Sequence, residues 1–154
     1  MPANAKPAGD FSASIMLVED SLADQILIRR ALEDANINCK LITAFNGVEA
    51  LNLLREKLDL LAQQDGRFQL LILLDINMPH MDGMETLKAI RNTSEFKHLP
   101  VVMLTTSSSE SDIKKAYDHG ANAYLTKPVE EKDFVNIARK IEEFWFNLAK
   151  LPAL

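Results

Sequence analysis

The chain has 154 residues, with 17 Lys and Arg against 22 Asp and Glu, a formal charge of −5 at neutral pH. That length suits one domain, and 47% hydrophobic with 25% charged residues is the make-up of a soluble globular chain, not of a disordered one. The acidic balance without a basic run argues against nucleic acid as the main partner, no apolar run is long enough to span a membrane, and the lone Cys39 excludes an intrachain disulfide framework or a multi-cysteine zinc site.

Residues 1–13 are small and polar, lack the apolar core of a signal peptide and read as a disordered lead-in, so the expected location is the cytoplasm. Ser14–Val18 is a short apolar run, a buried strand. Ser21 then N-caps a helix that runs to Ala35. Cys39–Phe45 is a second strand, broken by Asn46-Gly47. Val48, Leu51, Leu54, Leu58 and Leu61 recur at helical spacing, so Val48–Gln63 is a helix, and Asp65-Gly66 is a turn. Leu70–Leu74 is a third strand, apolar on both faces. Asp82–Arg91 is a helix, Pro100–Leu104 a fourth strand, and Ser109–His119 a helix stopped by Gly120. Ala123–Thr126 is the fifth strand and Glu130–Lys150 the last helix. Strict alternation with continuously apolar strands predicts an α/β fold: a three-layer, doubly wound, five-stranded parallel sheet with five helices.

In such sheets ligands bind beyond the C-terminal strand ends, at the switch point. Glu19 and Asp20 follow the first strand, Asp75 and Asn77 the third, Thr105 the fourth, and Lys127 the fifth. Clustered carboxylates repel one another, and a divalent cation relieves that cost. Oxygen-only donors (the carboxylates and the backbone or amide oxygen of Asn77) suit Mg²⁺, and no His or Cys stands at these ends to favour zinc. Hard acids with Mg²⁺, one ammonium and one hydroxyl make a phosphoryl-transfer site, in which one carboxylate takes the phosphoryl group as an acyl phosphate. A flavodoxin would share the fold, but Glu19-Asp20 would repel a phosphate where its phosphate loop belongs. An Asp-nucleophile phosphatase of the haloacid-dehalogenase type would want an acid where Asn77 stands.

Leu17-Val18-Glu19-Asp20-Ser21, Leu74-Asp75-Ile76-Asn77-Met78-Pro79 followed by Met81-Asp82-Gly83, Leu104-Thr105, Gly120-Ala121, Tyr124 and Lys127-Pro128, in that order, resemble the receiver domain of bacterial two-component response regulators. The resemblance implies a flavodoxin-like strand order 2-1-3-4-5. It also implies that Asp75 is the phosphoacceptor, that Thr105 and Lys127 contact the phosphoryl group, and that Glu19, Asp20, Asp75 and Asn77 form the metal site. Thr105 and Tyr124 would be the switch pair, and the Lys127-Pro128 peptide would be cis. The chain would be a phosphoacceptor that assists only its own phosphorylation and dephosphorylation, with a sensor histidine kinase as partner. Ser107, two residues past Thr105, and Asn77, two past Asp75, would tune dephosphorylation. A finer resemblance, to the small single-domain regulators paired with phytochromes, rests on three features. These are the long stretch between strands two and three, Leu104-Thr105-Thr106-Ser107, and a tail holding Glu143-Phe144-Trp145 and Leu151-Pro152.

The expected organisation is a lead-in at 1–13, a receiver domain at 14–140 and a C-terminal helical extension at 141–154. Phe134, Ile141 and Leu148 are seven apart, as are Ala138 and Trp145, so one apolar stripe runs along the last helix. A helix over 130–150 would be about 30 Å long against about 17 Å for a five-residue strand. Phe144, Trp145, Phe146, Leu148 and Leu151 would then outrun their own core and form a homodimer interface.

Overall fold

The computed structural model describes residues 13–61 and 69–152. The lead-in up to residue 12, the Asp65-Gly66 turn and the predicted helix end at 62–63 lie outside the described residues.

Five parallel strands, β1 (Ala13–Val18), β2 (Lys40–Ala44), β3 (Gln69–Leu74), β4 (Val101–Thr105) and β5 (Ala123–Thr126), pair in the order β2-β1-β3-β4-β5. Between them run α1 (Leu22–Asp34), α2 (Gly47–Leu61), α3 (Gly83–Asn92) and α4 (Glu110–Asp118), and α5 (Glu131–Ile141) follows β5. This is the expected architecture, with element ends moved by a residue or two. Pro100, for example, has no N–H to give the ladder, so β4 begins at Val101, although the Pro100 carbonyl still accepts from Ile72 N at 3.0 Å.

The period-2 alternation of a strand sorts the core into two layers. Met16, Val18, Ile72, Leu74, Val101 and Met103 face α2, α3 and α4, where Leu54, Leu87, Ile90 and Ala116 meet them. Ile15, Leu17, Leu71, Leu73, Val102 and Leu104 face α1 and α5, where Ile28, Leu32, Phe134 and Ala138 meet them. Because both faces are covered, β1, β3 and β4 carry no polar alternation.

Side-chain caps fix where the helices begin. Ser21, Asp82 and Ser109 each accept from the backbone N–H three residues on, at 3.2, 2.9 and 3.1 Å. Asp82 is thus a helix cap, away from the acidic pocket. At the other end of α4, Gly120 adopts a φ of +100° that a side chain would strain. Its carbonyl accepts from Arg91 Nε, and Arg91 also donates to the carbonyls of Lys97 and Leu99 and to Asn122 Oδ1, which ties α3 to the entries of β4 and β5.

The last helix departs from expectation. It is α-helical only to Ile141; Glu142–Leu148 continues with π winding, closed by Ala149 N donating to Phe144 O at 2.6 Å, and the chain turns extended at Ala149. The wider turn takes up an extra residue, so the stripe reaches Trp145 but Leu148 leaves it. Leu148 ends 71% exposed and Phe144 50% exposed. Trp145 and Phe146 instead pack partly against the α1/α5 layer of their own domain.

Candidate functional site

The switch point of this strand order lies between β1 and β3, whose neighbouring helices leave on opposite faces. Val18 is in register with Leu74, so the residues that follow each come off the sheet side by side; Asp75 N still donates to Val18 O at 3.1 Å and Glu19 N to Ala44 O at 2.9 Å. The register thereby delivers Glu19 and Asp75 to one pocket from places far apart in the sequence.

The two acids after β1 diverge. Glu19 is 1% exposed, while Asp20 is open to solvent. Gln25, buried in α1, donates to the Glu19 carbonyl at 2.7 Å, and Glu19 Oε1 accepts from Ser21 N at 3.1 Å, which fixes the side chain. Asp75 is buried, and its Oδ1 accepts from Ile76 N at 2.8 Å, leaving Oδ2 toward the pocket. Glu19, Asp20 and Asp75 each offer an oxygen within 4.8 Å of the others, an arrangement that could hold a metal ion. Exposed Asn77 lies two residues past Asp75, in the loop between β3 and α3.

Lys127 enters from the far side. Its backbone N–H donates to Thr105 O at 2.7 Å, extending the β4–β5 pairing by one residue, and this directs its side chain over the acids. The ammonium lies 2.6 Å from Glu19 Oε2, 2.9 Å from Asp24 Oδ2 and 3.3 Å from Asp75 Oδ2. The Lys127-Pro128 peptide is trans, not cis as the resemblance implied. The β5 register alone brings the ammonium within reach of the carboxylates.

The electrostatics favour a cation. Burial pushes the Glu19 carboxyl up to about 7; the Lys127 hydrogen bond opposes that rise and the Asp75 charge adds to it. Burial would lower the Lys127 ammonium, but hydrogen bonds to Glu19 and Asp24 and the Asp75 charge outweigh it and hold Lys127 above its ordinary value. Glu19, Asp24 and Asp75 share one ammonium with Asp20 beside them, a deficit that hard oxygen donors can meet by binding a divalent ion.

Thr105 is fully buried at the end of β4, and its hydroxyl accepts from Ser107 N at 3.5 Å and makes no hydrogen bond to Asp75. Tyr124 is half-buried and donates to Ser107 O at 2.9 Å, while Ser107 Oγ donates to Asp112 Oδ2 at 2.6 Å. The predicted switch pair therefore meets on the loop between β4 and α4, which the Ser107–Asp112 bond ties to the first turn of α4.

The sequence reading missed Asp24, Gln25 and the reason for Gly83. Asp24 lies in the first turn of α1, which starts beside the end of β1 and so brings its side chain back to the same strand ends. A Cβ on Gly83 would lie 2.0 Å from the Asp75 carbonyl, and Gly83 N donates to Ile76 O at 2.7 Å. Only a glycine lets α3 begin this close to the Asp75 loop.

A family model described as the response regulator receiver domain matches residues 15–139. Response regulator Rcp1 of Synechocystis sp. is 39% identical over 144 residues, which span 90% of this chain and 92% of Rcp1. The crystal structure of the Mn²⁺-bound form of Rcp1 superposes with a TM-score of 0.74 at 38% identity, covering 91% of this chain and 99% of that one. The phosphorylated cyanobacterial phytochrome response regulator RcpA superposes with a TM-score of 0.77 at 39% identity, covering 91% and 98%.

Proposed function

The chain belongs to the response regulator receiver domain family, and on that premise we propose that it takes a phosphoryl group from a sensor histidine kinase on Asp75 and passes the change to a protein-binding surface. The observation that carries this reading is Lys127 Nζ at 3.3 Å from Asp75 Oδ2, in a pocket that Glu19 and Asp20 make acidic. Receiver domains are phosphorylated by sensor histidine kinases and bind a divalent metal. For this chain a phytochrome-type kinase and Mg²⁺ are proposed, supported by the similarity to RcpA and to the Mn²⁺-bound form of Rcp1.

Glu19, Asp20, Asp75 and the Asn77 carbonyl would hold the ion, which supplies positive charge against the transferring oxygens. An Asp75 oxygen forms the bond to phosphorus as the P–N bond to the kinase histidine breaks, and the imidazole leaves with the electron pair. Lys127 Nζ donates to one phosphoryl oxygen and Thr105 Oγ to another. Thr105 Oγ is also the acceptor of Ser107 N, so a turn of Thr105 toward the phosphoryl group pulls on the loop that Tyr124 holds through the Ser107 carbonyl. That coupling is the switch, a two-state element biased by a local charge. The only chemistry assigned is the chain's own phosphorylation and dephosphorylation.

Residues 14–140 form the receiver unit and 141–154 an arm for homodimerisation. Exposed Phe144 and Leu148 support this, as does a groove of about 200 Å³ bordered by Val102, Leu125, Ile137, Phe144 and Trp145. Among the described residues no helix is long and apolar enough to cross a membrane. A cytoplasmic setting without nucleic-acid binding follows from the proposed role.

Incubation with Mg²⁺ and acetyl phosphate tests the reading. It predicts one hydroxylamine-labile phosphoryl group per chain, on the peptide holding Asp75, and none in chelator. An adduct on another residue, or full labelling without divalent ion, would contradict it.

A further inference from the structure

Asp24 is a carboxylate that the proposed chemistry leaves without a task. It lies outside the trio of carboxylates whose oxygens converge, yet its Oδ2 is 2.9 Å from Lys127 Nζ, closer than Asp75 Oδ2 at 3.3 Å. The first turn of α1 holds its backbone, since Asp24 N donates to Ser21 Oγ at 3.2 Å. The side chain is 29% exposed, at the rim of the pocket, whereas those of Glu19 and Asp75 are buried.

An ammonium has three protons to donate. Glu19, Asp24 and Asp75 take all of them. A phosphoryl group on Asp75 offers Lys127 new acceptors and more negative charge, so Lys127 can serve it fully only by weakening a present bond. Glu19 and Asp75 can turn to a bound cation; Asp24 does not converge with that trio and keeps its claim on Lys127 in either state.

We propose that Asp24 is a positioning residue that holds the Lys127 ammonium back from the phosphoacceptor, and so shortens the life of the phosphoryl group while deepening the negative potential that attracts the cation. This rests on the phosphoacceptor reading of Asp75. Removing its charge with an isosteric amide has opposite effects on the two ligands. The Asp24 and Asp75 oxygens both bond one nitrogen and so lie within about 6 Å of each other. At that range a unit charge in a pocket open on one side changes a binding or rate constant by about three- to tenfold.

The test compares wild type with Asp24→Asn and Asp24→Glu. Mn²⁺ affinity is measured by titration calorimetry without phosphodonor, and decay of the acyl phosphate is followed after labelling with acetyl phosphate and removal of donor at saturating Mg²⁺. Asp24→Asn should bind Mn²⁺ about three- to tenfold more weakly and keep its phosphoryl group longer by a similar factor, with Asp24→Glu returning both toward wild type. A purely structural role would lower the thermal midpoint without this opposed pair. Two labelled proteins with equal lifetimes and equal Mn²⁺ affinities would overturn the inference alone. Absence of label from wild type and variants together would overturn the phosphoacceptor reading and the inference with it.

Discussion

Two residues away from the proposed chemistry make separate demands on the site's surroundings. Gly83 has no room for a Cβ against the Asp75 carbonyl, so Gly83→Ala must push α3 away from the loop that aims Asp75. The expected cost is about 1–3 kcal/mol in a denaturant titration, with slower labelling of Asp75; a variant as stable and as quickly labelled as wild type would show that the loop yields freely. Cys39 sits beside the start of the tail. Burial pushes its thiol up to about 11, with a smaller push from Glu142, against an ordinary value of 9.0. The folded state therefore binds this proton more tightly than the unfolded chain does. Its contribution to stability is complete below about 9 and is lost as pH rises through about 11. Alkylation by iodoacetamide should be slow at pH 8 and accelerate up to about 11, and urea-unfolded protein should react faster throughout; equal rates for folded and unfolded protein would contradict this. Asp75, Glu19, Asp20 and Lys127 were legible in the sequence because strand ends are marked by where apolar runs stop, and a parallel sheet collects those ends. Asp24 was not, because an acid in the first turn of a helix ordinarily complements the helix dipole and gives no sign of a distant lysine.

Among the elements, the strands were easiest to read. Leu70–Leu74 and the runs of β1 and β4 are short and apolar on both faces, a pattern that a doubly covered parallel sheet explains. The end of α5 was hardest. Seven-residue spacing of Phe134, Ile141 and Leu148 describes a straight α-helix, and nothing in side-chain identity announces the π winding that carries Leu148 away from the stripe. The winding divides the tail's work. Trp145 and Phe146 pack partly on their own domain, while Phe144 and Leu148 remain open. Trp145→Ala should therefore lower both domain stability and self-association, by up to about 2–3 kcal/mol on its buried area. Leu148→Glu should turn a dimer into a monomer in sedimentation with domain stability unchanged within about 0.5 kcal/mol, as expected of an exposed position. If Leu148→Glu leaves the sedimentation of an intact dimer unchanged, or if the wild-type protein is a monomer at tens of micromolar, the tail is not the interface.

At the scale of the whole molecule, the β2-β1-β3-β4-β5 order does two things at once. It gathers Glu19, Asp75, Thr105 and Lys127 at one edge of the sheet, and it places β5 and the neighbouring α4 on the far flank, where Tyr124 bonds the Ser107 carbonyl. The proposed switch couples a covalent change confined to one carboxylate to a surface built from other elements, through one buried hydroxyl and one loop. Every part of that account depends on Asp75 taking the phosphoryl group. The most direct test is phosphotransfer from a radiolabelled sensor histidine kinase of the phytochrome type to the full chain, with Asp75→Asn in parallel. Label should pass from the kinase histidine to the wild-type chain in the presence of Mg²⁺ and fail to reach Asp75→Asn. An Asp75→Asn chain labelled to the same stoichiometry as wild type would contradict the account.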